Sequence, residues 1–136
     1  MSDKEIEQEI QAKGLTAPRV TPADIEANIV SEHYFTAEQG CAASWREDAP
    51  RFPEDMDDFV AEDGFKDYML SRPVVESLSL LTFCVLVLKN GFTVTGESAC
   101  ASPENFDAEL GRKIARANAI NKVWPLMGYA LKERLI

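Results

Sequence analysis

The feature that most constrains this chain is a pair of strands running without a break into a long helix between Leu78 and Leu135. Leu80 to Leu88 is built of Leu, Thr, Phe, Cys and Val, Phe92 to Glu97 alternates, and Asn90-Gly91 stands between them. Aromatic and β-branched residues suit a pleated, half-buried surface, and Asn-Gly supplies the positive φ of a tight turn. The spacing predicts an antiparallel hairpin closed by a two-residue type I′ turn. Gly96, Ser98, Ala99 and Cys100 are small enough for the second strand to bend or to lie against another backbone.

The helix that follows has its own start signal. Ser102 is a capping residue, Pro103 fits the first helical position, and Glu104 complements the positive helix end. Phe106, Leu110, Ile114 or Ala117, Ile120 and Trp124 recur at spacings of three to four and form the predicted core face. Gly111 and the alanines at 115, 117 and 119 favour close packing on the sheet. Pro125 is expected to break or kink the helix, with periodicity resuming through Leu126, Tyr129 or Ala130, and Leu131.

The front of the chain is less regular. Ile6 and Ile10 give a narrow apolar stripe that ends at Gly14, so residues 1–20 read as a short helix or an arm. Thr21, Pro22 and Asp24 form a cap, and Ile25 and Ile29 extend it into a helix from Pro22 to about Glu32, with His33, Tyr34 and Phe35 as its amphipathic tail or a docking cluster. Residues 36–77 read as an acidic irregular insertion, with short helices near Asp55 to Ala61 and Phe65 to Leu70. The fold class is α+β: a small antiparallel hairpin or sheet packed by a long C-terminal helix plus an N-terminal helix. A length of 136 residues fits a single domain, with residues 78–136 as its hairpin-helix-helix core.

Charge narrows the partners. There are 7 basic and 18 acidic residues through Ser77, against 7 and 5 from Leu78 onward, within a formal charge of −9. Phosphate-backbone affinity requires a surplus of Lys and Arg, so a general nucleic-acid binder is not expected, whereas a small anionic ligand fits the mildly basic rear. The longest apolar run, Leu78 to Leu88, is too short to span a bilayer. The acidic N-terminus lacks the basic and apolar regions of a signal peptide, and three cysteines without CxxC spacing read as reduced thiols. The expectation is a cytosolic protein without membrane contact.

No pattern demands catalysis. His33 is the only histidine, Cys84 lies in an apolar strand, and the acids Asp55, Asp57 and Asp58 do not follow EF-hand spacing. Phosphate-loop, dinucleotide and hydrolase signatures are missing from the sequence. The expectation is a non-enzyme without cofactor or metal. One polar stripe stands out: Asn105, Glu109, Arg112 and Arg116 recur beside the core face, and two arginines one turn apart can grip a phosphate. The competing reading is a solvent-facing ladder in which Glu109 pairs with Arg112 or Lys113.

The segment NGFTVTGESACASPENFDAELGRKIARANAINKVWPLMGYALKERL resembles the phage protein family named for gene products 49 and 66 of two podoviruses. The shared pattern is NGF, a G-x-S-A-C strand end, P-x-N-F-D, a Gly-Arg helix, K-x-W-P-L and G-Y-x-L. Thr21 to Phe35 is similar to the family's opening helix, while residues 40–77 are longer and more acidic than its pattern. A kinship with Thoeris anti-defence proteins implies a sponge that binds cyclic ADP-ribose-type or cyclic oligonucleotide signals without cleaving them and assembles as a homo-oligomer. That resemblance implies base stacking on Phe92 or Trp124, with Arg112, Arg116 or Lys122 holding phosphate and Asn105 of the polar stripe as a further ligand-binding residue. The alternative is an interaction protein that binds a host protein through Glu54, Asp55, Asp57 and Asp58.

Overall fold

The computed structural model describes residues 2–48, Gly64 and residues 75–136. Its centre is a three-stranded antiparallel sheet in the order β1 (Ile29–Thr36), β2 (Leu81–Leu88), β3 (Thr93–Ala99). Among the described residues, four further α-helices accompany the long C-terminal helix: α1 (Asp3–Ala12), α2 (Pro22–Asn28), α3 (Ala37–Asp48) and α4 (Val75–Ser79). A 3₁₀ turn, Pro103–Asn105, leads into that last helix, α5 (Ala108–Leu135). The α+β reading, with a long C-terminal helix on an antiparallel sheet, holds.

Two front-end expectations are corrected. The helix begun by Pro22 stops at Asn28, because the backbone turns extended at Ile29 and continues as β1 through His33, Tyr34 and Phe35. The β-branched and aromatic residues of that stretch gain a ladder with β2, from Ile29 opposite Leu88 to Thr36 opposite Thr82, which outweighs continued helix. The start of the supposedly irregular insertion is helix α3. Its signal is a capping box: Gln39 N–H donates to Thr36 Oγ1 at 3.2 Å and Thr36 N–H to Gln39 Oε1 at 2.9 Å. The helices expected near Asp55 to Ala61 and Phe65 to Leu70 lie outside the described residues.

The hairpin stands where the sequence puts it, but its turn differs. Leu88 N–H donates to Phe92 C=O at 2.9 Å and Gly91 N–H to Leu88 C=O at 2.9 Å, so the loop has three residues, Lys89-Asn90-Gly91. Gly91 alone takes the left-handed conformation there, at φ 86°, in the manner of a bulged hairpin; the two-residue turn is not formed.

The core lies between one face of the sheet and α5. Cys84, Leu86 and Leu88 of β2 and Val94 of β3 meet Ala115, Ala119 and Val123, with Ile25 of α2 closing one side. The buried face of α5 is therefore Gly111, Ala115, Ala119 and Val123, and not the larger stripe expected; Leu110 is 55% and Ile114 43% exposed, while Ile120 and Trp124 are partly buried. Gly96 is the reason. A Cβ there would overlap the backbone of Ala115 and Ala119, so the helix rides directly on β3 and only small residues fit the contact. The largest fully buried side chains are Ile25 of α2, Leu86 and Cys84 of β2, and Val123 at the end of the seam.

Helix α5 begins one turn later than expected. Asp107, not Ser102, is its cap and accepts from Leu110 N–H at 2.9 Å, and the helix passes through Pro125 without ending. At ~1.5 Å per residue it is about 42 Å long, whereas an eight-residue strand spans about 26 Å. The helix outruns the sheet. Beyond Val123, Met127 still packs against the core, while Leu126, 42% exposed, and Tyr129, 71% exposed, project to solvent.

Candidate functional site

Two neighbouring arginines of α5 have different fates. Arg116 points toward α2 and β1, where its Nη1 and Nη2 fork onto the Glu26 carboxylate at 3.0 and 2.7 Å and its Nε donates to Glu32 Oε2 at 2.8 Å. These three bonds tie three elements to one side chain. The hydrogen bonds from Arg116 hold the Glu26 carboxyl below its usual range, and those to Glu26 and Glu32 raise the guanidinium above its own. Arg112, one turn earlier, has its Cζ 5.8 Å from the Tyr34 ring centroid, a cation–π contact, and no ion pair among the described residues.

Tyr34 itself is a product of packing. It shares a row with Cys84 and Gly96 on the helix-facing side of the sheet, and burial, with the nearby Cys84 and Glu32 contributing, pushes its phenol up to about 12. Burial likewise raises the Cys84 thiol. A raised thiol is a poor nucleophile at neutral pH, in keeping with a packing role.

The six residues singled out by sequence do not gather at one place. Arg116 and Trp124 line the same open groove, of about 640 Å³, between α1, α2 and α5. Arg112 belongs to a separate groove of about 480 Å³ with Phe35, Thr36, Gln39, Thr82 and Phe106. Asn105 borders a smaller cleft beside Leu110 and Ile114. Lys122 sits across α5 with its Nζ 3.8 Å from Glu97, and Phe92 stands 55% exposed in the hairpin loop. Glu109 pairs with Lys113 at 3.3 Å, so that part of the polar stripe is the solvent ladder.

The groove that joins Arg116 and Trp124 is chemically mixed. Lys4, Lys113 and Arg116 face two carboxylates, Asp3 and Glu26, and an amide, Asn121, around the Trp124 indole. Trp124 Nε1 donates to Asp3 Oδ2 at 3.2 Å, which fixes the edge of a ring that also packs against the core. Lysines suit phosphate, carboxylates suit hydroxyl or amino groups, and an indole face suits a base. Lys4, Glu26 and Lys113 were not foreseen: Glu26 lies 90 residues from Arg116 and Lys4 comes from the N-terminal helix, distances that no local spacing encodes.

Among the described residues no group of three or more His, Cys, Asp or Glu is placed to hold a metal ion, and no helix is long and apolar enough to cross a membrane. The acids Glu54, Asp55, Asp57 and Asp58 lie outside those residues.

The chain is thus an α+β protein in which one capped helix lies on a three-stranded meander and carries grooves along its flanks. Residues 20–135 match the model of the phage protein (N4 Gp49/phage Sf6 gene 66) family, and the chain belongs to that family. Neither the curated proteins nor the solved structures give a match.

Proposed function

We propose that this phage protein is a non-enzymatic sponge that binds a small anionic nucleotide, a host second messenger of the cyclic ADP-ribose or cyclic oligonucleotide kind, and so counters antiphage defence in the host cytosol. The observation that carries the reading is the convergence of Arg116 and Trp124, 8 residues apart on α5, in one groove with Lys4 and Lys113. The groove brings three cations, Lys4, Lys113 and Arg116, to the Trp124 indole on a chain of formal charge −9, with Lys113 also paired to Glu109 and Arg116 to Glu26 and Glu32. In this reading the base stacks on Trp124, the lysines take phosphate, and Arg116 holds Glu26 ready for a sugar hydroxyl or a base amine. Homo-oligomer formation completes the proposal, since Leu126 and Tyr129 project from α5 past the sheet and suit a second copy.

The test is thermal denaturation with cyclic ADP-ribose isomers and cyclic di- and trinucleotides. A ligand that binds only the folded state adds about 2.7 kcal/mol at a hundred times its dissociation constant, a rise of roughly 5–10 °C for a chain of this size. The ligand should then be recovered chemically unchanged after heating. No rise with any of these compounds ends the proposal, and recovery of a cleaved product replaces the sponge with an enzyme.

A further inference from the structure

Helix α1 is built to hold its own shape while barely joining the core. Ser2 and Glu5 form a reciprocal capping box at 3.2 Å each way, Gln11 donates to Glu7 at 3.0 Å, and Lys13 pairs with Glu9 at 3.1 Å. Yet none of its residues is buried. Its attachment to the body is polar: the Arg19 guanidinium forks onto Glu7 at 2.6 Å through both Nη atoms, and Trp124 donates to Asp3 at 3.2 Å. Between Ile6 and Ile10 on one side and Val20, Pro22 and Trp124 on the other runs a cleft of about 250 Å³ that is open to solvent. A helix with no buried residue, separated from the body by an open cleft and tied to it by polar bonds, rests on the body as a lid and is not packed into it as a wall.

The position of that lid gives it a task. Ser2, Asp3 and Lys4 supply one side of the Trp124 groove, and α1 lies before residue 20, where the family match begins. Trp124 and Arg116 lie inside the matched span, and α1, outside it, lies over them. From these observations we infer that α1 is a gate: it swings about the Gly14–Pro18 connection when the Glu7–Arg19 fork opens, and its position sets how readily an anion reaches the Trp124 face. The inference rests on the nucleotide reading for the identity of the cargo, not for the motion. Few buried contacts and a polar latch are the physical marks of a segment that opens at low cost.

The experiment uses the full chain with Trp45→Phe, which leaves Trp124 as its only tryptophan. Iodide quenching of Trp124 fluorescence reports the access of an anion to the groove without any nucleotide. Arg19→Gln should raise the quenching constant by about threefold and speed amide exchange in α1 by at least tenfold while α5 is unchanged, as expected when a local unit is released. The charge-reversed pair Glu7→Arg with Arg19→Glu should restore quenching toward its starting value. Unchanged quenching and exchange in Arg19→Gln would overturn the gate. A cyclic dinucleotide should also associate faster with Arg19→Gln; an equal rate limits the lid to a passive cover and overturns gating. If the parent chain binds no nucleotide at all, the cargo reading fails, and the iodide result still decides the gate.

Discussion

The two flanks of α5 hold the molecule together by opposite means. On the sheet side, Gly111, Ala115, Ala119 and Val123 lie against β2 and β3 through small side chains, and at Gly96 nothing separates the helix backbone from the strand. On the α2 side, contact is made at the tips of long side chains, with Arg116 reaching two carboxylates that are 54% and 41% exposed. The first contact has no freedom to adjust and excludes water. The second is partly wet and leaves a groove beside it. A fold that must be rigid and also admit a ligand can divide those duties between two sides of one helix.

The largest effect belongs to the tight side. Gly96→Ala places a methyl group into the backbone of Ala115 and Ala119, neither of which can rotate away as a side chain would. Overpacking a fitted core usually costs about 1–3 kcal/mol, and collision with backbone on both sides should reach or exceed the upper end. Denaturant unfolding should show a loss of about 3 kcal/mol or more, or no cooperative transition. Thr95→Ala, on the exposed side of the same strand, should change stability by less than about 1 kcal/mol. Equal losses from both would mean that the close approach at Gly96 does not organise the seam.

The ionic side should break more gently. Arg116→Gln leaves Glu26 and Glu32 without their shared cation, a loss of about 1–2 kcal/mol at low salt that shrinks as salt is added, because the carboxylates are well exposed. The pH dependence has a definite sign. Glu26 is depressed in the folded chain, so its contribution is present above the ordinary carboxylate pKa and is lost as pH falls through the lowered one. Urea midpoints from pH 6 downward should therefore fall less steeply in Glu26→Gln than in the parent. Identical slopes would remove Glu26 from the clamp.

What was readable beforehand divides along the same line. The hairpin, the capped α2 start and the long final helix were legible because each rests on neighbours in sequence: Asn90-Gly91, Thr21 with Asp24, and the apolar spacing after Asp107. The seam was not, because spacing favoured the bulkier Leu110 and Ile114, and only the absent side chain of Gly96, brought against the helix by pairing opposite Cys84, makes alanine the better fit. β1 was hidden for a related reason. Its residues begin as a helical continuation and become a strand only when β2, some fifty residues on, offers a ladder. The groove was half legible: Arg116 and Trp124 share a helix, but Lys4, Glu26 and Glu32 come from elsewhere.

Tyr34 lies where the two flanks meet, and its phenol tests how dry the seam is. Its folded value of about 12 lies above the ordinary 10, so the folded state holds its proton longer than the unfolded one. The resulting stability is complete below pH 10 and is lost as pH rises from 10 toward 12. Tyr34→Phe should flatten the decline of stability in that window and change it little at pH 7, read from guanidinium midpoints. A parent chain that shows no steeper decline than the variant would place the phenol in water.

The smallest effect on folding is expected at Arg112, and there the comparison is sharpest, because Arg112 and Arg116 differ by one helical turn. Arg112 bonds to no carboxylate among the described residues, and an exposed cation over an aromatic ring contributes about 0.5–1 kcal/mol. Arg112→Ala should lower stability by no more than that. Its effect on nucleotide affinity separates the two grooves. If the ligand occupies the Trp124 groove, Arg112→Ala should leave affinity within about twofold, while Trp124→Ala should weaken it by at least tenfold, the loss of about 1–3 kcal/mol that goes with a stacking partner. The reverse order, measured by titration calorimetry with the same nucleotide, would move the ligand to the neighbouring groove of Phe35, Gln39 and Phe106. There the Arg112 guanidinium, paired with no carboxylate among the described residues, would meet the phosphate across a groove that Glu38 also lines, and the Arg116 clamp would be architecture alone.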